Sequence, residues 1–170
     1  DDIRDFQIEG ISIGDSALKF FSKTELSNAL DIHDYKNNKY RYYFLKFHKS
    51  KNYDYVQITV KPNDKEFLMY EIQGSILYKK NIKECYKKLN QVNNEISNIF
   101  NVEGKKTSDD HWIDKSGKSK FERISFYVEN GAVKIICYDM SKKFEKEGKY
   151  DRFAISVISN EYQQWINKTY

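Results

Sequence analysis

The chain has 170 residues, 29 of them basic and 25 acidic for a net charge of +4, and 39% are hydrophobic, with 14 Tyr and 11 Phe. That much apolar and aromatic material excludes a disordered chain, and the length suits a single domain over residues 1–170 that buries about 70% of its unfolded surface. No run of 18 apolar residues exists, which excludes a membrane-spanning helix; 25 of the 29 basic residues are Lys rather than the forked Arg that base and phosphate recognition favours, which argues against a nucleic-acid partner.

Phe6-Gln7-Ile8 reads as a short extended piece, followed by a loop that carries Gly10 and Gly14. Asp15 or Ser16 then caps a helical stretch through Phe21, and a second start signal at Thr24-Glu25 makes this one broken helix or two short ones. Asp31 to Asn38 is polar and turn-like. Tyr40 to Phe47 is an aromatic strand, and Val56, Ile58 and Val60 alternate with polar residues as a half-buried strand does. After the turn Pro62-Asn63-Asp64-Lys65, Phe67 to Tyr78 predicts a third strand, with Gly74 as a bulge or a point of close approach.

Asn81 is an N-cap residue, and beyond it Ile82, Tyr86, Leu89, Ile96, Ile99 and Phe100 recur at helical spacing. A polar loop is expected from Asn101 to Lys120. Ile124, Phe126 and Val128 alternate as a strand, Asn130-Gly131 is a hairpin turn, and Val133 to Met140 is the return strand. Ser141 to Tyr150 reads as a solvated Lys/Glu-rich connection, Phe153 to Ile158 as a final strand and Glu161 to Lys168 as a short helix. The order helix, three strands, long helix, three strands, short helix predicts an α+β fold with antiparallel sheet.

Two motifs point to serine chemistry. Gly14-Asp15-Ser16 matches the opening of GDSL-type esterases, in which a late histidine supplies the base, and His111 is the first candidate for that role. The later motifs are missing, however, because Ser108 stands where the Asp of an Asp-x-x-His pair belongs. Ser16-x-x-Lys19 matches penicillin-recognising enzymes, but their Ser-Asp-Asn and Lys-Thr-Gly partners are absent. The simpler role of this stretch is structural, with Gly14 turning the backbone and Asp15 or Ser16 capping a helix. Gly117-Lys118-Ser119 resembles the end of a phosphate loop, yet Trp112 occupies the leading glycine's place.

His33, His48 and His111 show none of the paired spacings of zinc sites, and Asp31, His33 and Asp34 read as a hydrated loop, so no metal and no other cofactor is expected. Tyr40, Tyr42, Tyr43 and Phe44 crowd both faces of one strand. Core packing explains such a pattern, and so does a ligand groove formed by these residues or by the loop that carries Trp112. Cys85 and Cys137 fall on core-facing positions of the long helix and the return strand, compatible with one disulfide or with two buried thiols.

The run Asp1-Asp2-Ile3-Arg4-Asp5-Phe6-Gln7-Ile8-Glu9-Gly10-Ile11-Ser12-Ile13-Gly14-Asp15-Ser16, with Phe20-Phe21-Ser22 and Glu25-Leu26 after it, resembles small uncharacterised exported proteins of Pelagibacter-type marine bacteria. Tyr53-Asp54, Ile72-x-Gly74 and Ile82-x-x-Cys85 extend the likeness. The resemblance implies a signal peptide removed before Asp1, a periplasmic or secreted location, and a disulfide between Cys85 and Cys137. It carries no activity and no cofactor. The reading that follows is an exported, non-enzymatic binding or cell-envelope accessory domain, its partner a small molecule or an envelope protein; the alternative is a GDSL-like serine hydrolase using Ser16 and His111.

Overall fold

The computed structural model describes residues 2–170 and is an α+β protein with a large antiparallel sheet. Its elements are β1 (Gln7–Ile8), β2 (Ile11–Ser12), α1 (Lys23–Ser27), β3 (Asp31–Asp34), β4 (Arg41–Lys46), β5 (Tyr55–Val60), β6 (Met69–Leu77) and α2 (Ile82–Phe100). These are followed by β7 (Lys105–Asp110), β8 (Lys120–Val128), β9 (Gly131–Asp139), α3 (Lys142–Lys146), β10 (Arg152–Ser159) and α4 (Asn160–Thr169). β1 pairs with β2, and the other eight strands hydrogen-bond in the order β3-β4-β5-β6-β10-β9-β8-β7.

The expected order of helix, three strands, long helix, three strands and short helix is corrected by the ten strands found, since β1, β2, β3 and β7 add to the six expected, and β6 of the chain's first half pairs with β10, its last strand. Three segments without a clear apolar period also took on structure. Asp31–Asp34, expected as a turn, is an edge strand held by cross-strand chemistry: Arg41 grips the Asp34 carboxylate at 2.6 and 2.9 Å, and the Tyr42 hydroxyl donates to Asp31 at 2.5 Å. Lys105–Asp110, inside the expected loop, pairs residue for residue with β8 from Lys105↔Ser125 to Asp110↔Lys120. Lys142–Lys146, expected as a solvated arm, is a helix because one residue, Phe144, is buried on its inner side. The two charged strands end the sheet, where charge discourages pairing with another chain.

The described residues divide into two compact units, the first built from residues 2–74, 128–133 and 156–170 and the second from 75–127 and 134–155. In the first, the entry stretch is two short helical turns. Ser16 caps one (a 3₁₀ turn over Ala17–Lys19) by accepting from the Leu18 amide, while Ser22 caps α1 in a reciprocal box with Glu25, two residues ahead of the expected start at Thr24. Gly14 at φ +87° makes the turn into this stretch, as its lack of a Cβ allows. Tyr40, Ile158 and Tyr162 form a buried cluster with Tyr35, Tyr70, Trp165 and Ile166 packed around it.

Gly74 is the point of close approach expected from sequence: a Cβ there would lie 2.7 Å from the Tyr53 ring. Because the approach reaches back to Cγ at 2.9 Å, the root of the ring rather than its far end, Gly74→Ala is expected to destabilise the protein by about 2 kcal/mol, read as a lower urea midpoint at unchanged m.

The second unit is organised by α2, whose residues Cys85, Leu89, Val92 and Ile96 are buried at the spacing of one helix face. Ile99, by contrast, is 70% exposed, and the Asn81 side chain makes no capping bond although its residue occupies the N-cap. A disulfide joins Cys85 of α2 to Cys137 of β9 across 52 residues. A separate apolar cluster of Ile136, Tyr138, Met140, Phe144 and Ala154, with Phe121 against it, supports α3 and the turn from His111 to Ser119.

Candidate anion-binding site

The residues singled out for catalysis are locally occupied. The Ser16 hydroxyl donates to the Glu66 carbonyl at 2.6 Å while accepting from Leu18, so both of its bonds go to backbone. His111 is 3% exposed, and its Nδ1 accepts from the Ile113 amide at 3.3 Å.

The aromatic strand divides between the alternatives. Tyr40 and Tyr43 are buried: the Tyr40 hydroxyl donates to Glu161 and its ring packs on Tyr162 and Trp165. Tyr42 and Phe44 alternate onto the opposite face from Tyr43, half-buried, where Tyr42 stacks with His33 and Phe44 with Tyr55. Among the described residues no group of three or more His, Cys, Asp or Glu is placed to hold a metal ion.

Sequence reading missed a polar network inside the first unit. Glu71, 8% exposed, accepts from Thr59 and Ser156 at 2.9 Å each and from Gln57 at 3.5 Å. Burial, together with the Glu71 charge, holds the Tyr35 and Tyr162 hydroxyls well above the usual tyrosine range. The strands carrying Thr59, Glu71 and Ser156 meet in the sheet order β5-β6-β10, a juxtaposition that no local pattern announces.

The turn from His111 to Ser119 is built around one carboxylate. Asp114 accepts the amide and hydroxyl of Ser116 through one oxygen and those of Ser119 through the other, at 2.6 to 3.0 Å. These bonds hold its carboxyl well below the ordinary range. The Ser119 hydroxyl in turn accepts from the Ser141 amide at 2.9 Å, tying the turn to the start of α3.

Beside this turn lies a cleft of about 1180 Å³, wholly within the second unit. Six lysines line it: Lys79 and Lys80 before α2, Lys118 from the turn, and Lys142, Lys143 and Lys146 from α3. All six are exposed, and none has a carboxylate within ion-pair distance among the described residues, whereas Lys19, Lys61, Lys106 and Lys120 elsewhere are paired. Asp139, Glu145 and Asp151 also line the cleft; burial pushes the carboxyls of Asp139 and Asp151 above the usual range, with Glu145 close to both. An unsatisfied excess of ammonium groups around one concavity concentrates anions there.

The sequence signal for this site is the lysine density between Lys142 and Lys149, which by itself reads as a solvated arm. No family model, curated protein or solved structure matches the chain. No helix of the structure is long and apolar enough to cross a membrane.

Proposed function

We propose that this chain is an exported, non-enzymatic binding domain whose ligand is anionic and occupies the lysine-lined cleft of the second unit. The observation that carries this reading is the convergence of six lysines without a carboxylate partner among the described residues, drawn from three separate stretches of chain, on one concave surface. Its volume exceeds what a single phosphate fills and suits an extended polyanion. The Cys85–Cys137 disulfide supports export, since such bonds persist in oxidising compartments. A serine-hydrolase mechanism draws no support from Ser16, whose proton is directed at a carbonyl oxygen.

Calorimetric titration with inorganic polyphosphate tests the site. Binding is expected in low salt and should weaken as salt rises. The triple variant Lys79→Gln, Lys142→Gln, Lys146→Gln is expected to bind about tenfold more weakly or worse, with its urea midpoint unchanged because all three side chains are exposed. Equal affinity in the triple variant would overturn the assignment.

A further inference from the structure

The chain contains four arginines, and they divide into two kinds. Arg4 and Arg41 are each spent on an aspartate, Asp2 and Asp34. Arg123 and Arg152 have no carboxylate partner among the described residues and lie over aromatic rings, Arg152 4.4 Å from the Tyr138 ring centre and Arg123 5.7 Å from that of Phe121. Both rings flank Trp112, at 6.1 and 6.2 Å between centroids and at steep angles. Trp112 itself is 68% exposed.

An exposed indole on a polar turn is ordinarily mobile, but this one is held. His111 stacks beneath it at 4.1 Å and 25°, so one face of the indole is occupied and the other is open. The imidazole is anchored by its own backbone, which donates to the Ser119 carbonyl and accepts from Asp114, the residue whose carboxylate organises the turn. Two polar atoms in this cluster, His111 Nε2 and Arg123 Nε, are buried without a hydrogen-bond partner. Such orphaned atoms are rare in a finished structure. The same turn contributes Ser116 and Lys118 to the lysine-lined cleft.

We propose that Trp112, Arg123 and Arg152 form a subsite for the ring of an acidic sugar, so that the anionic ligand of the cleft is a carboxylated saccharide. The inference rests on the cleft reading and adds to it the ring and the carboxylate. The open indole face suits the apolar face of a pyranose, and a guanidinium fork matches a carboxylate carried on that ring. A neutral sugar would leave both guanidiniums idle. A single-stranded nucleic acid calls for successive open rings, whereas Tyr138 is buried and Phe121 half-buried behind Trp112.

The test uses the full chain with Trp165→Phe as background, which leaves Trp112 as its sole tryptophan, titrated with oligogalacturonate, inorganic polyphosphate, a neutral maltooligosaccharide and oligo-dT. Expected are a change in Trp112 fluorescence with oligogalacturonate and no binding of the neutral sugar. Calorimetry should show about tenfold weaker oligogalacturonate binding in Trp112→Ala and in Arg152→Gln, with polyphosphate affinity retained. Unchanged oligogalacturonate affinity in both variants overturns this inference while leaving the cleft reading in place. Tighter, Trp112-dependent binding of oligo-dT overturns it in favour of nucleic acid. Failure of both polyphosphate and oligogalacturonate to bind removes the cleft reading and this inference with it.

Discussion

Replacing Cys85 and Cys137 together with alanine is expected to lower stability by about 4 kcal/mol, the loop-closure value for their sequence separation of 52. Both positions are fully buried, one on the inner face of α2 and the other on β9, so the crosslink fastens the long helix of the second unit to its sheet. Without the link the unfolded chain regains the freedom of a long loop, while Leu89, Val92 and Ile96 still hold the helix in place. The fold therefore survives in weakened form. The measurement is urea unfolding of the wild type and the double variant, each with and without reductant. The wild type should fall to the variant's midpoint once reduced, the variant should ignore reductant, and the intact wild type should gain two hydrogens by mass on reduction after unfolding. A midpoint in the double variant equal to that of the oxidised wild type would refute the expectation.

The second large effect is acid sensitivity centred on His111. Burial, reinforced by the positive charges of Arg152 and Lys149 and only partly offset by Asp114, pushes this imidazole down to about 4 from an ordinary 6.5. The folded state therefore holds His111 neutral at pH values where the unfolded chain already binds a proton. Stability is unaffected by this group above about pH 6.5 and declines as pH falls from there. The loss reaches about 3 kcal/mol near pH 4, below which both states are protonated and the decline from this source stops. Asp114, with its carboxyl held low, contributes in the opposite range, losing stabilisation only as pH drops below the ordinary aspartate value. A His111→Asn variant separates the two, since the amide carbonyl can still accept from Ile113 while the titrating group is gone. Its deficit relative to wild type should shrink by about 3 kcal/mol between pH 7.5 and pH 4 in urea denaturation. A pH-independent difference between the two proteins would show that His111 does not titrate in this window.

The long amphipathic helix and the alternating strands were legible because each carries its own period of burial. In α2 the buried positions recur every three to four residues, and Val56, Ile58 and Val60 occupy one face of β5. The short cap-driven turns were legible for a related reason: Ser16 and Ser22 satisfy orphan amides within three residues of themselves. Asp31–Asp34 and Lys105–Asp110 carry no apolar period, and they are strands because β4 and β8 offer them a free edge and matching charges. The lysine-lined cleft was hidden for the same reason, since Lys79, Lys118 and Lys142 are neighbours through the packing of the second unit and not through spacing.

Sequence alone thus determined the α+β class, the long helix, the main strands and the structural employment of Gly14-Asp15-Ser16, all of which depend on interactions between residues close in the chain. It brought the two cysteines to facing elements without deciding whether they bond. Tertiary structure decided the sheet order, the disulfide, the division of Tyr40 and Tyr43 from Tyr42 and Phe44, and the setting of Trp112 on His111 between the rings of Phe121 and Tyr138. Those outcomes depend on which distant segments share a surface, and burial and charge settle that only when the whole chain has folded.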